Sequence, residues 1–95
     1  MKKINATELP ESLEGFAGGM GYKSIAHISA TDLGFPANVD VNGYISQKVD
    51  GKYYAEVLND VGDGDYAESS DLTELQKWIT DTVYEYALSQ ADFNK

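Results

Sequence analysis

The stretch Asn42-Gly43-Tyr44-Ile45-Ser46-Gln47-Lys48-Val49-Asp50-Gly51-Lys52-Tyr53-Tyr54-Ala55-Glu56-Val57-Leu58 decides the fold. Val39, Val41, Gly43, Ile45 and Gln47 share one parity, so residues 39–49 read as a strand with one buried face. Asp50-Gly51 follows, and Asp-Gly between apolar runs is a strong hairpin signal because glycine takes positive φ without steric cost. The alternation returns from Lys52 to Val61, with Tyr53, Ala55 and Val57 on one parity and Tyr54, Glu56 and Leu58 on the other. Gly62-Asp63-Gly64 makes a second turn, and Asp65 to Glu68 extends a meander by a short third strand.

Downstream the period changes. Ser69-Ser70-Asp71 offers a helix cap at Asp71, with Glu74 three residues on in the manner of a capping box. Leu72, Leu75, Ile79, Val83 and Tyr86 then recur at helical spacing, flanked by Trp78. This predicts a helix over 71–90 lying on one face of the meander, since a lone hairpin is not stable in water. Upstream, Leu9, Leu13 and Phe16 share a helical face over residues 8–17. Pro10, Glu11 and Glu14 suit its first turns, and Gly18-Gly19-Met20-Gly21 ends it. Tyr22 to Ser29 reads as a strand anchored by Ile25 and Ile28, although their spacing of three breaks alternation. Thr31 to Pro36 is a connection. The expected fold is α+β: a three- or four-stranded antiparallel meander, a C-terminal helix packed on it and a short N-terminal helix. With 95 residues there is room for one core, so residues 1–95 are expected to form a single small acidic domain.

Composition separates this chain from a disordered one. Apolar and aromatic residues make up 42%, including seven Tyr, three Phe and one Trp, which is enough to build a core. Sixteen acidic side chains against seven lysines and no arginine give a net charge of −9. That sign argues against direct nucleic-acid binding and against anionic membranes, both of which need cations on the protein. No apolar run is long enough to span a bilayer, and Met1-Lys2-Lys3-Ile4-Asn5-Ala6-Thr7-Glu8 lacks the apolar core of a signal peptide. Cysteine is absent, which removes disulfides and thiolate metal sites and agrees with a cytoplasmic setting.

Nothing in the sequence assembles an ordinary active site. His27 is the single histidine, with no nucleophile or further ligands implied beside it, and reads as a structural strand residue. The serines lack a nucleophile-elbow context. Gly15-x-x-Gly18-Gly19-x-Gly21 is followed by Lys23-Ser24, but a strand rather than a helix comes next, which favours a plain loop over a phosphate cradle. Asn59-Asp60-Val61-Gly62-Asp63-Gly64-Asp65 invites a calcium reading. Laid on an EF-hand loop, however, it puts Val61 and Ser70 where carboxylates belong, so an Asp/Gly turn is the better reading. The expectation is a protein with no catalytic residues, no metal and no cofactor.

The charge distribution carries the functional signal. Residues 1–49 hold four lysines and five acids, whereas residues 50–95 hold three lysines and eleven acids. Asp50, Glu56, Asp60, Asp63, Asp65, Glu68, Asp71 and Glu74 are opposed in their stretch by Lys52 alone. On turns and outer faces such a field can occupy a Lys/Arg-lined groove built for nucleic acid, with rigid apolar contacts from Tyr53, Tyr54 and Tyr66, and from Tyr84 on the helix. The plainer alternative is a small accessory or protein-interaction domain whose acidity serves only solubility.

Asn42-Gly43-Tyr44, Asp50-Gly51-Lys52-Tyr53-Tyr54-Ala55-Glu56-Val57 and Ser70-Asp71-Leu72-Thr73-Glu74-Leu75-Gln76-Lys77-Trp78-Ile79 together describe a meander running into a capped helix. In pattern, size and charge this half of the chain resembles small acidic phage-encoded anti-CRISPR proteins, which block CRISPR effectors by occupying nucleic-acid sites. The resemblance implies an inhibitor acting in a bacterial cytoplasm as a monomer or homodimer. Its partner would be a basic nucleic-acid-binding protein such as a CRISPR effector complex.

Overall fold

The alternation centred on residues 42–58 resolves into antiparallel strands, as its period of two requires. The computed structural model describes residues 1–4, 22–48 and 51–93. Five strands, β1 (Lys2–Ile4), β2 (Tyr22–Ser29), β3 (Asn42–Lys48), β4 (Tyr53–Leu58) and β5 (Gly64–Ser69), are followed by one helix, α1 (Leu72–Phe93). The sheet is wholly antiparallel, in the order β1-β5-β4-β3-β2, and α1 crosses one face of it. The architecture is therefore α+β with a C-terminal helix, but the sheet has five strands rather than three or four. The additional strand is β1, which pairs Lys2 with Glu68 and Ile4 with Tyr66. Three residues reading Lys-Lys-Ile are too short to show a period, so only the edge of β5 reveals them as a strand. The short helix expected over residues 8–17 lies outside the described residues.

Both hairpin turns close by the same device. Lys48 N donates to Lys52 O and Gly51 N donates to Lys48 O, with Gly51 at φ 90°. Asn59 N donates to Asp63 O and Gly62 N to Asn59 O, with Gly62 at φ 85°. In each turn a glycine takes the positive φ that its missing side chain permits. The imperfect spacing of Ile25 and Ile28 also has a physical cause. A bulge between Ser24 and Ala26 shifts the register of β2, and Ile25, Ala26 and Ile28 all pack towards the same core.

That core lies between sheet and helix. Leu75, Ile79, Val83 and Ala87 form a buried stripe at intervals of four against Ile45, Ala55, Val57 and Ala67. Val39 and Val41, just before β3, are buried with them. The sheet offers small side chains where the helix comes closest. A methyl group on Gly43 would lie 2.9 Å from Val83 Cγ2 and 3.4 Å from both Ile28 Cγ2 and Val57 Cγ2. At the helix start Asp71 caps as the sequence predicts, its Oδ1 accepting from Glu74 N at 3.3 Å. The reciprocal half of a capping box is absent, because Asp71 N donates to Ser69 Oγ and the Glu74 carboxylate instead meets the Met1 amino group at 2.6 Å.

Two stability outcomes follow from this packing. Leu75→Ala or Ile79→Ala should cost about 2–5 kcal/mol, the usual effect of emptying a buried leucine or isoleucine site. Unchanged urea melts for both would place the buried face elsewhere. Gly43→Ala should cost about 1–3 kcal/mol through overpacking. Combined with Val83→Ala it should cost less than the sum of the two, because the second change removes the atom the new methyl meets.

Candidate acidic interface

The register sorts the predicted contact residues onto different surfaces. Tyr53 and Tyr54 are neighbours in a strand, so they point to opposite faces. Tyr53 packs half-buried against the helix-side core, whereas Tyr54 is buried with Ile4 on the far face, where Tyr44 and Tyr66 pack beside them. One cross-strand row, His27–Tyr44–Glu56–Tyr66–Ile4, runs over all five strands on that far face. Glu56 sits at its middle and is only 2% exposed. It was expected among the solvent-facing acids, but tyrosines on both flanking strands and the row around it leave its carboxylate no surface to offer a partner. Tyr53, Tyr54 and Tyr66, expected as partner contacts, are accordingly part of the packing on two different faces. Asp50 lies outside the described residues.

The remaining acids divide between the two ends of the sheet. Glu68, Asp71 and Glu74 lie where β5 passes into α1, the end that also carries Lys2, Lys23, Lys48 and Lys52. Here Glu68 is 3.8 Å from Lys52 Nζ, and Glu74 holds the Met1 amino group. The opposite end is formed by the β4–β5 turn and by the connection from β2 to β3, and it collects Asp60, Asp63 and Asp65 together with Asp32 and Asp40. No lysine occurs between Lys23 and Lys48 or between Lys52 and Lys77, and these two gaps supply this end. Asp32 and Asp40 escaped the sequence reading because charge counted along the chain assigns them to the nearly balanced first half.

Most of these five carboxylates stand on ordered backbone. Asn59 Oδ1 accepts from Val61 N at 3.1 Å and from Asp63 N at 2.9 Å, an arrangement that folds the turn bearing Asp60 and Asp63. The carboxamide oxygen in the EF-hand-like sequence is thus engaged by its own backbone. Val61 projects from the tip, 74% exposed between the two aspartates. Asp65 accepts from the Tyr86 hydroxyl at 3.3 Å and lies 3.9 Å from Lys3 Nζ. Asp32 Oδ2 accepts from Ser29 N at 2.8 Å and from Ser29 Oγ at 3.1 Å, and these two donors hold its carboxyl below the ordinary value of 3.8. Asn42 Nδ2 donates to Asp40 Oδ1 at 3.0 Å, which leaves Asn42 Oδ1 to accept from His27 Nε2 at 2.9 Å. His27 also stacks on Tyr44 with ring centroids 4.7 Å apart, the structural role its lone occurrence suggests.

No family model, no curated protein and no solved structure matches this chain. Its site must therefore be read from its own residues. Among the described residues no group of three or more His, Asp or Glu side chains is arranged to hold a metal ion. No described helix is long and apolar enough to cross a membrane. What this lysine-poor end can do chemically is accept hydrogen bonds and attract cations from several directions at once.

Two tyrosines report on this charge. Burial raises the Tyr86 hydroxyl above its ordinary value of 10.0, and the Asp65 carboxylate beside it adds to the shift. Tyr66 is raised first by burial and then by Glu56 and Asp65. A hydroxyl that keeps its proton longer in the folded state stabilises the fold at every pH below the unfolded value, and that stability drains away as pH rises through the folded value. Melting temperature should therefore fall steeply above about pH 10, and less steeply in the Tyr66→Phe/Tyr86→Phe variant. Parallel curves for parent and variant would remove these two groups from the cause.

Proposed function

We propose that the chain is a non-enzymatic inhibitor protein that binds a basic nucleic-acid-binding partner, of the class to which CRISPR effectors belong, and occupies its nucleic-acid groove. The observation that carries this reading is the gathering of Asp32, Asp40, Asp60, Asp63 and Asp65 at one end of the sheet, where, among the described residues, one lysine, Lys3, forms an ion pair, with Asp65. A groove that binds DNA presents Lys and Arg spaced to meet phosphates, and carboxylates on fixed turns can meet the same cations. Because Asn59 and Ser29 pre-order the backbone beneath Asp60, Asp63 and Asp32, little freedom is lost on docking. Long-range attraction of this kind acts on the association rate and weakens with salt. The active acids are those of the sheet end rather than the whole run from Asp50 to Glu74, since Glu56 is buried and Glu68 and Glu74 each meet a cation, whereas Asp65 is the one acid of the sheet end for which an ion pair is found among the described residues.

Those same pairings favour a second reading, an accessory domain whose acidity keeps it soluble. Competition separates the two. DNA binding by a panel of guide-loaded CRISPR effectors and other basic nucleic-acid-binding proteins should be measured with the chain present. Displacement from at least one of them is expected, with Asp60→Asn/Asp63→Asn slowing association and flattening its salt dependence while Glu68→Gln/Glu74→Gln does neither. Displacement from none, or equal behaviour of the two double variants, would leave acidity as solvation.

A further inference from the structure

The core stripe of α1 does not account for Tyr84 and Leu88, which are 48% and 43% exposed one turn apart. Single apolar side chains on a surface are ordinary, but these two have company. Phe35, on the connection from β2 to β3, meets Tyr84 edge-on with ring centroids 5.6 Å apart while its own body packs against the core. Asp81, Tyr84, Glu85 and Leu88 fall at the spacing that shares one helix face, so two acids are interleaved with the two apolar groups. Asp32 lies three residues before Phe35 on the adjoining connection. Among the described residues the cation on this face is Lys77, which is held 3.0 Å from Asp81 at the far end of the patch. From there to Phe93 the helix carries no further basic residue.

An apolar centre holding a tyrosine, with a mainly acidic rim, is the anatomy of a protein-binding surface. We propose that the Phe35–Tyr84–Leu88 patch is a docking surface for a lysine- or arginine-rich protein segment that also carries a large apolar side chain. The sign of the rim selects that partner, because Glu85 would repel an acidic one, Asp81 adds to it beyond its pairing with Lys77, and Asp32 on the neighbouring connection carries the same sign. The partner's charge rests on the function proposed above. The surface itself is a separate claim, since Phe35, Tyr84 and Leu88 are none of the sheet-end acids and Asp32 is the one residue the two surfaces share.

The probe is a short leucine–lysine peptide that forms an amphipathic cationic helix, with oligolysine of equal length as the control. Each is titrated into the isotopically labelled chain while backbone amide signals are followed. The leucine–lysine peptide should move the signals of Leu33, Phe35, Asp81, Tyr84, Glu85 and Leu88. Tyr84→Ala/Leu88→Gln should weaken that peptide by about tenfold or more while leaving oligolysine affinity and the melting temperature nearly unchanged. Shifts confined to Asn59–Asp65 with both peptides would overturn the patch yet leave the acidic end as a binding surface, and no binding of either peptide would overturn both. Shifts at the patch that grow with protein concentration alone would make it a self-association face and overturn the basic-segment proposal.

Discussion

The seating of Val83 over Gly43 is the contact on which the rest of the structure depends. A hydrogen atom in place of a side chain lets α1 approach β3 closely enough for Leu75, Ile79 and Ala87 to reach Ile45, Ala55, Val57 and Ala67 in the same layer. Alanines at 55 and 67 serve the same purpose on β4 and β5, so the sheet presents a shallow floor under the helix. A domain of this size has one such layer to stabilise it, and every other feature is positioned by it. The helix crosses back over the sheet from the β5 end. Its start is thereby set beside the lysine-bearing end, and its second half beside the connection that carries Phe35.

Charge follows from that geometry. Antiparallel strands of similar length bring residues far apart in sequence to a common end, and here the ends differ in sign. Lys23, Lys48 and Lys52 converge at one, while Asp32, Asp40, Asp60, Asp63 and Asp65 converge at the other. Self-repulsion among the second group is borne by turns whose own hydrogen bonds hold them in place, Asn59 under one and Ser29 under the other. Glu68 offsets Lys52 in the first group, and Glu74 meets the Met1 amino group at the same end, so these two acids do not belong to one continuous field with the second group.

The far face of the sheet follows a different logic. An antiparallel sheet with a helix on one side commonly leaves its other side to water. Here that side carries His27, Tyr44, Tyr54, Tyr66 and Ile4 around a buried carboxylate, so packing extends to both faces of β4. A strand buried on both sides reads Tyr-Tyr-Ala-Glu-Val, and its one ionisable member looks like a surface residue until the neighbouring rows are placed around it.

The sequence by itself determined the meander, the turns at Gly51 and Gly62, the cap at Asp71 and the buried stripe of α1. These depend on local period and on backbone rules for glycine and for helix ends, which act over a few residues. The tertiary structure alone decided the strand at Lys2–Ile4, which has no period of its own and exists through the edge of β5. It alone explained the Ile25–Ile28 spacing, because a bulge is defined against a partner strand. Which acids stand together was also decided there. Distance along the chain groups Asp60 with Glu68, whereas the antiparallel register separates them to opposite ends and brings Asp60 to the end that holds Asp32 and Asp40. Like charges interact through space, so a sum taken along the sequence finds their number but not the surface they make.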